Sequence, residues 1–322
     1  MTSLLGPAAS PAGARIAGLG AAQPSLVRDA AELSAPFGKS ADWLVERTGI
    51  RQLRRLAPGE DLLDLAERAA RAALSDAGMD VDRIDTVVVA TCSHRPADRV
   101  DLATRLAQRM RFAVPSFDLN SACAGFCYAL SAAAGLIAAG NARTVLLVGA
   151  EQMSRLCDSA DLGTSILFGD GAGAAVVTAA EVNEIAPAAW SSDGSRRDVL
   201  TIPDGDEFMQ MQGQQVFRWA VDEVHKVATE AIARAGLRAE DIDVFVPHQA
   251  NLRIVDAIRR RVHLSNAVTA ADVEVSGNTS AASIPIALTR LRESGQTRPG
   301  QLALLTGFGA GLAIAAQVVR LP

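Results

Sequence analysis

The chain has 322 residues, 49% hydrophobic and 21% charged, with 31 Lys and Arg against 36 Asp and Glu for a net charge of −5. A globular chain of this size buries roughly 75% of the surface it exposes when unfolded, so a large core is available and intrinsic disorder is excluded. The acidic balance gives no general attraction to nucleic acid or an anionic membrane, and an acidic partner must be met by a local basic patch.

Met1 to Ala14 is small-residue and Pro-bearing without a basic start, which reads as a loose leader and not a signal peptide. The cysteines, Cys92, Cys123, Cys127 and Cys157, form no CxxC pair, and no His stands at zinc-ligand spacing. A disulfide scaffold and a metal site are therefore not expected, and the thiols suit a reducing, cytoplasmic setting. The longest uncharged apolar stretch, Phe126 to Ala139, is too short to span a bilayer.

An amphipathic helix is predicted around Leu62, Leu65, Ala66 and Ala69, stopping at Gly78, with a β-branched strand Thr86 to Ala90 after it. The pattern returns 158 positions later: Val221, Val224, Ala228 and Ala231, a stop at Gly236, then the strand Val244 to Pro247. A second pair continues the copy. Ala122 to Ala139 is a helical run ending at Gly140, before a strand Thr144 to Val148; Thr279 to Glu293 ends at Gly295, before Leu302 to Thr306. Glycine suits the left-handed position just past a helix end. Superposing these last two glycines gives an offset of 155 and sets Cys123 opposite Asn278. The order of elements and stops implies an internal duplication.

The Ala122 to Ala139 helix is apolar nearly all round and belongs inside. Continuous apolar strands imply sheets covered on both faces. The expected fold is α/β, in five layers α/β/α/β/α, with halves 15–180 and 181–322.

Three segments carry chemistry. Phe117 to Phe126 brings a strand-like entry to a buried helix with Cys123 near its first turn. Unpaired amides and the helix dipole there favour a thiolate, so a lowered thiol pKa is expected; the alternative is an inert buried cysteine. His248 ends the strand Phe245 to Pro247, a place where a lone His is commonly structural. Asn278 stands at another helix start, where Asn also serves as a cap. Together they offer one nucleophile and two neutral hydrogen-bond donors. Gly169 to Gly173 lacks the Lys-Ser/Thr of a phosphate loop and leads into a strand, so no dinucleotide site is expected. His94, His225 and His263 are read as structural.

The segments around Cys123, His248 and Asn278 resemble β-ketoacyl-acyl-carrier-protein synthase III, of the thiolase superfamily. Supporting blocks are Asp42 to Ile50, Phe168 to Ala174, Val246 to Ile254, Gly277 to Ser283 and Gly307 to Gly311. The resemblance implies a duplicated thiolase-like fold, a homodimer and a Cys123-His248-Asn278 triad. It also implies decarboxylative Claisen condensation of an acyl-CoA primer with malonyl-acyl carrier protein, with CoA thioester as substrate and no resident cofactor. The amides of Cys123 and Ala310 would form the oxyanion hole.

By the same resemblance Trp43 stacks on the CoA adenine and Arg47 meets its phosphates. Asn251 lies along the pantetheine tunnel, Phe168, Met211 and Phe217 lie near the acyl pocket, and Arg218, Arg253 and Arg260 dock the acidic carrier. Two departures stand out. Leu162 occupies the place of an Arg that commonly sandwiches the adenine, and Ser93 to Val100 is polar where many members are apolar. The primer, and fatty-acid against polyketide initiation, stay open. Rival readings are a same-fold acyltransferase to oxygen or nitrogen and, more distantly, a Cys-His-Asn hydrolase.

Overall fold

The apolar runs become strands whose alternation assigns each side chain to a face. The computed structural model describes residues 13–94, 96 and 98–322, and two five-stranded sheets organise them. The first runs Ser116–Leu119, Thr86–Ala90, Thr144–Gln152, Asp170–Ala180, Gly13–Ala22: two parallel pairings, then two antiparallel. The second runs Val268–Thr269, Val244–Pro247, Leu302–Gly309, Ala313–Arg320, Ala189–Ser191, with the same succession of pairings. Two sheets of identical topology from one chain are a duplication seen in three dimensions.

Both sheets are covered on both faces. In the strand Thr144–Gln152, Val145 and Leu147 pack towards the middle of the molecule and Leu146 and Val148 towards the outside. The middle layer consists of the helices Gly125–Ala138 and Ser283–Glu293, which share one core with the inner faces of both sheets. Leu62–Asp76 and Leu102–Met110 cover the first sheet, and Gly213–Arg234 and Leu252–Arg261 the second. This is the five-layered α/β/α/β/α thiolase-like fold. The stop glycines Gly78, Gly236, Gly140 and Gly295 all take positive φ, from 60° to 74°, which a side chain resists. Among the described residues no helix is long and apolar enough to cross a membrane, and no group of three or more His, Cys, Asp or Glu could hold a metal ion.

Two details differ from the sequence reading. Residues 1–12 of the expected leader lie outside the described residues, whereas Gly13 and Ala14 already pair with Ala180 and Ala179 in the first sheet. The offset that sets Cys123 opposite Asn278 is also corrected. The two central helices have 14 and 11 residues, so superposing their far ends misplaces their near ends by three. Their entry turns, Ala122–Ala124 and Ser280–Ala282, are the true equivalents. Each opens on a residue in left-handed conformation, Ala122 at φ 45° and Ser280 at φ 48°. In each, the Asn two residues earlier accepts that residue's amide, at 3.1 Å for Asn120 and 2.9 Å for Asn278. Asn278 thus matches Asn120, and Cys123 matches Ala281.

Candidate active site

Cys123 sits in the middle of an entry turn, 5% exposed, where the end of the strand Leu302–Gly309 passes directly against it. A Cβ on Gly309 would fall 2.8 Å from Cys123 Cβ and 3.2 Å from its sulfur, so only glycine allows the approach. The sequence reading expects a lowered thiol pKa at this helix start, and the structure reverses that. Burial pushes the Cys123 thiol up to about 12, with the Ser280 hydroxyl pulling it down and the Glu151 charge pushing it up. Loss of water outweighs the helix-start amides.

His248 follows the strand Val244–Pro247 and is held there by its amide donating to Thr306 O at 2.8 Å. Its ring meets Phe308 edge-on, centroids 5.2 Å apart. Its Nδ1 lies 2.7 Å from Ser283 Oγ, and that oxygen also accepts the Gln249 amide. Burial holds the imidazole down at about 3, so it is neutral at physiological pH. Asn278 is 6% exposed and pinned from both sides: its amide donates to Leu167 O at 2.8 Å and its carbonyl accepts Gly169 N at 3.0 Å. Because Asn278 Oδ1 takes the Ser280 amide, its side-chain orientation follows: the backbone group can only donate, so the NH₂ end is the free one.

Two chambers meet at the sulfur. The larger, about 730 Å³, is lined by Cys123, His248 and Asn278 together with Trp43, Arg47, Leu162, Asn251, Arg218 and Arg253. Its mouth is cationic: the Arg47 guanidinium lies 4.9 Å and the Lys39 ammonium 5.5 Å from the Trp43 ring centroid. Asn251 caps the helix Leu252–Arg261 and also donates to Arg47 O at 3.2 Å. Arg253 stands over Phe217 at 5.6 Å. Arg260, seven residues on, shares that helix face but lines neither chamber.

The smaller chamber, about 280 Å³, also borders Cys123 and is lined mainly by Met153, Leu156, Phe168, Ile202 and Met209, with Cys92, Ser280, Ala310 and Arg197. Phe168 borders both chambers. Met211 and Phe217, expected by the acyl pocket, instead line the larger cleft. The short strand Gln210–Met211 leads straight into the helix Gly213–Arg234, whose first turn faces the cleft mouth. Of the polar Ser93 to Val100 stretch, Arg95 and Ala97 lie outside the described residues. His94 and His225 bond backbone carbonyls at 3.1 Å.

Sequence reasoning missed four residues: Glu151, Ser280, Ser283 and Cys92. Their signal was a single carboxylate closing an apolar strand, and hydroxyls crowding the start of a buried helix.

The description of 3-oxoacyl-[acyl-carrier-protein (ACP)] synthase III matches residues 117–194, and that of its C-terminal part residues 232–321. The chain is 42% identical to beta-ketoacyl-[acyl-carrier-protein] synthase III of Mycobacteroides abscessus over 94% of both chains. It is 41% identical to beta-ketoacyl-[acyl-carrier-protein] synthase III 1 of Streptomyces coelicolor over 96% of both. Among solved structures, the priming beta-ketosynthase from the R1128 polyketide biosynthetic pathway superposes at a TM-score of 0.95 with 39% identity, covering 99% of both chains. The 3-oxoacyl-(acyl carrier protein) synthase III of Pseudomonas aeruginosa superposes at 0.91 with 38% identity, over 96% of this chain and 98% of that one. With a buried cysteine where two chambers meet and likeness along nearly its whole length, the chain belongs to the β-ketoacyl-acyl-carrier-protein synthase III family of condensing acyltransferases.

Proposed function

We propose that Cys123 takes the acyl group of an acyl-CoA primer and that His248 and Asn278 then drive condensation with malonyl-acyl carrier protein. The single observation carrying this reading is the position of Cys123: it borders both a long cleft shared with His248 and Asn278 and a second chamber lined mainly by apolar side chains. The cleft suits pantetheine and the chamber an acyl chain. Cys123 sulfur attacks the thioester, giving an acyl-enzyme. The amides of Cys123 and Ala310 hold the tetrahedral oxyanion, and one such donor is worth roughly 3 kcal/mol.

Malonyl thioester then enters the emptied cleft and loses CO₂, leaving charge on its thioester oxygen. A neutral His248 suits this step, because its hydrogen bond with Ser283 leaves the other nitrogen for the substrate. The Ser283 hydroxyl, which also accepts the Gln249 amide, can donate its own proton to Nδ1, and the proposed scheme takes that tautomer, with the imidazole proton on Nε2 facing the substrate. Asn278 adds the free NH₂. The carbanion attacks the acyl carbon, and the β-ketoacyl chain leaves on the carrier. No resident cofactor enters this scheme.

Trp43 and Arg47 at the cleft mouth fit the CoA nucleotide, with Leu162 offering an apolar contact where an Arg would sandwich the adenine. Asn251 borders the pantetheine path, and Arg218, Arg253 and Arg260 form the basic face for an acidic carrier. The edge strand Ser116–Leu119, with Phe117 36% exposed, fits pairing with a second copy as a homodimer. Four free thiols suit a reducing cytoplasm. Halves divided near residue 180 place the nucleophile in the first and His248 and Asn278 in the second. Mass spectrometry after incubation with acyl-CoAs from acetyl to octanoyl tests the reading. An acyl mass on Cys123 and a β-ketoacyl product with malonyl carrier are expected; hydrolysis alone would overturn it.

A further inference from the structure

Glu151 is a carboxyl for which the reaction above finds no use. It lies near the end of the apolar strand Thr144–Gln152 with no exposed surface, and it lines neither chamber. Burial pushes the carboxyl up, and hydrogen bonds from Ser93, Cys92 and Ser280 pull it back down. A buried carboxyl surrounded by neutral groups is costly to keep, so its position needs something no neutral side chain supplies.

Every one of its partners donates. Oε1 accepts the Cys92 amide at 3.2 Å, the Cys92 thiol at 3.3 Å, the Ser280 hydroxyl at 2.9 Å and the Ala281 amide at 3.5 Å. Oε2 accepts the Cys92 amide at 3.1 Å, the Ser93 amide at 3.0 Å and the hydroxyls of Thr91 and Ser93. A hydroxyl can turn and accept, but a backbone amide only donates. Amides converging on both ends of one side chain therefore require an acceptor at each end, which a carboxylate has and an amide lacks. One group thus ties together the residues after the strand Thr86–Ala90, the end of its own strand, and the entry turn Ser280–Ala282 of the second half.

Two of the tied residues, Cys92 and Ser280, line the smaller chamber, as does Met153. The Cys92 sulfur lies 3.6 Å from Ser280 Oγ and 4.0 Å from Met153 Sδ, so the three form one continuous patch of wall. Cys92 stands between the carboxyl and the chamber, bonded to the first and bordering the second. Resting on the reading that this chamber takes the acyl chain of the primer, we propose that Glu151 positions Cys92 and Ser280 and thereby sets the longest primer the chamber accepts. Glu151 touches no substrate; it is a positioning residue that acts through the wall.

Hydrogen-bond chemistry gives the effect a direction. In Glu151→Gln an NH₂ replaces one oxygen. The Cys92 amide bonds both oxygens, so either orientation of the new side chain sets N–H against N–H there. Cys92 is pushed away from residue 151 and into the chamber. Glu151→Asp keeps two acceptors but withdraws them by about 1.5 Å, one C–C bond. The donors follow, and Cys92 draws back from the chamber. The two variants therefore change the preferred primer length in opposite directions, which a general loss of stability does not do.

Rapid-quench mass spectrometry of wild type, Glu151→Gln and Glu151→Asp measures acylation of Cys123 from acetyl-CoA and from octanoyl-CoA, with CO₂ release from malonyl-acyl carrier protein alongside. Room for one methylene in an apolar pocket is worth about tenfold or more in rate. The octanoyl-to-acetyl rate ratio should fall about tenfold in Glu151→Gln and rise by a similar factor in Glu151→Asp, with decarboxylation within about threefold of wild type in both. An unchanged or lower ratio in Glu151→Asp, an unchanged or higher one in Glu151→Gln, or parallel loss of decarboxylation would overturn the positioning role. Glu151→Asp alone decides the matter if Glu151→Gln does not fold. A wild type that never carries acyl on Cys123 would overturn the reading of the nucleophile, and with it the use of the chamber.

Discussion

Gly309→Ala tests the packing that brings the second half of the chain against Cys123. Gly309 has extended backbone, φ 178°, so alanine adds no torsional strain and the whole effect is steric. The new Cβ would lie 2.8 Å from Cys123 Cβ, 3.0 Å from its amide nitrogen and 3.2 Å from its sulfur. Ordinary carbon contacts lie at about 3.5–4.0 Å, so strand and turn must part by roughly 1 Å. Overpacking of this kind costs about 1–3 kcal/mol. The same displacement separates the Cys123 amide from Ala310, and an error of about 1 Å at a reacting centre costs about 10²-fold in rate. Denaturant midpoints and the rate of acyl transfer to Cys123 read the two effects. Gly194→Ala is the control, since a Cβ there meets nothing within 4 Å. Acyl transfer within threefold of wild type in Gly309→Ala would refute the argument, because the strand would then have room to spare.

Cys123→Ala should abolish acyl transfer while malonyl-carrier decarboxylation persists, measured as CO₂ release; equal loss of both would contradict the division of roles. Asn278→Asp places a carboxylate beside the developing enolate and should cut decarboxylation by about 10²-fold, one oxyanion donor's worth, with acyl transfer read in parallel. His248 predicts a pH effect on stability. Its pKa falls from 6.5 to about 3 on folding, so the unfolded chain binds more protons between those values and stability drops as pH falls. The full term is on the order of 5 kcal/mol, and wild type should lose that much relative to His248→Asn in urea midpoints taken from pH 7 to pH 3. Arg253→Glu, on an exposed face beside the cleft, should raise KM for the malonyl carrier about tenfold at low salt and leave kcat unchanged. Added salt should shrink the difference.

Local physics made much of the fold legible. Glycines at 78, 140, 236 and 295 end helices for a reason contained in the residue itself, and uninterrupted apolar strands announce sheets covered twice. The candidate residues Cys123, His248 and Asn278 were also visible, because each sits at the junction of a strand and a buried helix. What escaped was non-local. Glu151 looks like any polar residue at a strand end until folding brings Thr91, Ser93 and Ser280 around it. The thiol expectation failed similarly: the helix start is a property of neighbouring residues, but the burial that outweighs it is a property of the whole fold. The three-residue error in matching Cys123 to Asn278 arose because superposed helix ends report helix length as well as ancestry.

The corrected match changes what the duplication explains. Two copies of one entry turn face each other at the centre of the molecule, each opened by an Asn that caps a strained residue. In the first copy the residue after the strained one is Cys123, and in the second the strained residue itself is Ser280. Cys123 from one half therefore lies against the entry turn of the other because both turns occupy equivalent places about the same axis of repetition. The two turns pack directly against each other, and the Asn278 that caps the second offers its NH₂ to the cleft. Substitution of the Ser280 side chain leaves the backbone bond that orients Asn278 intact, so decarboxylation should survive it.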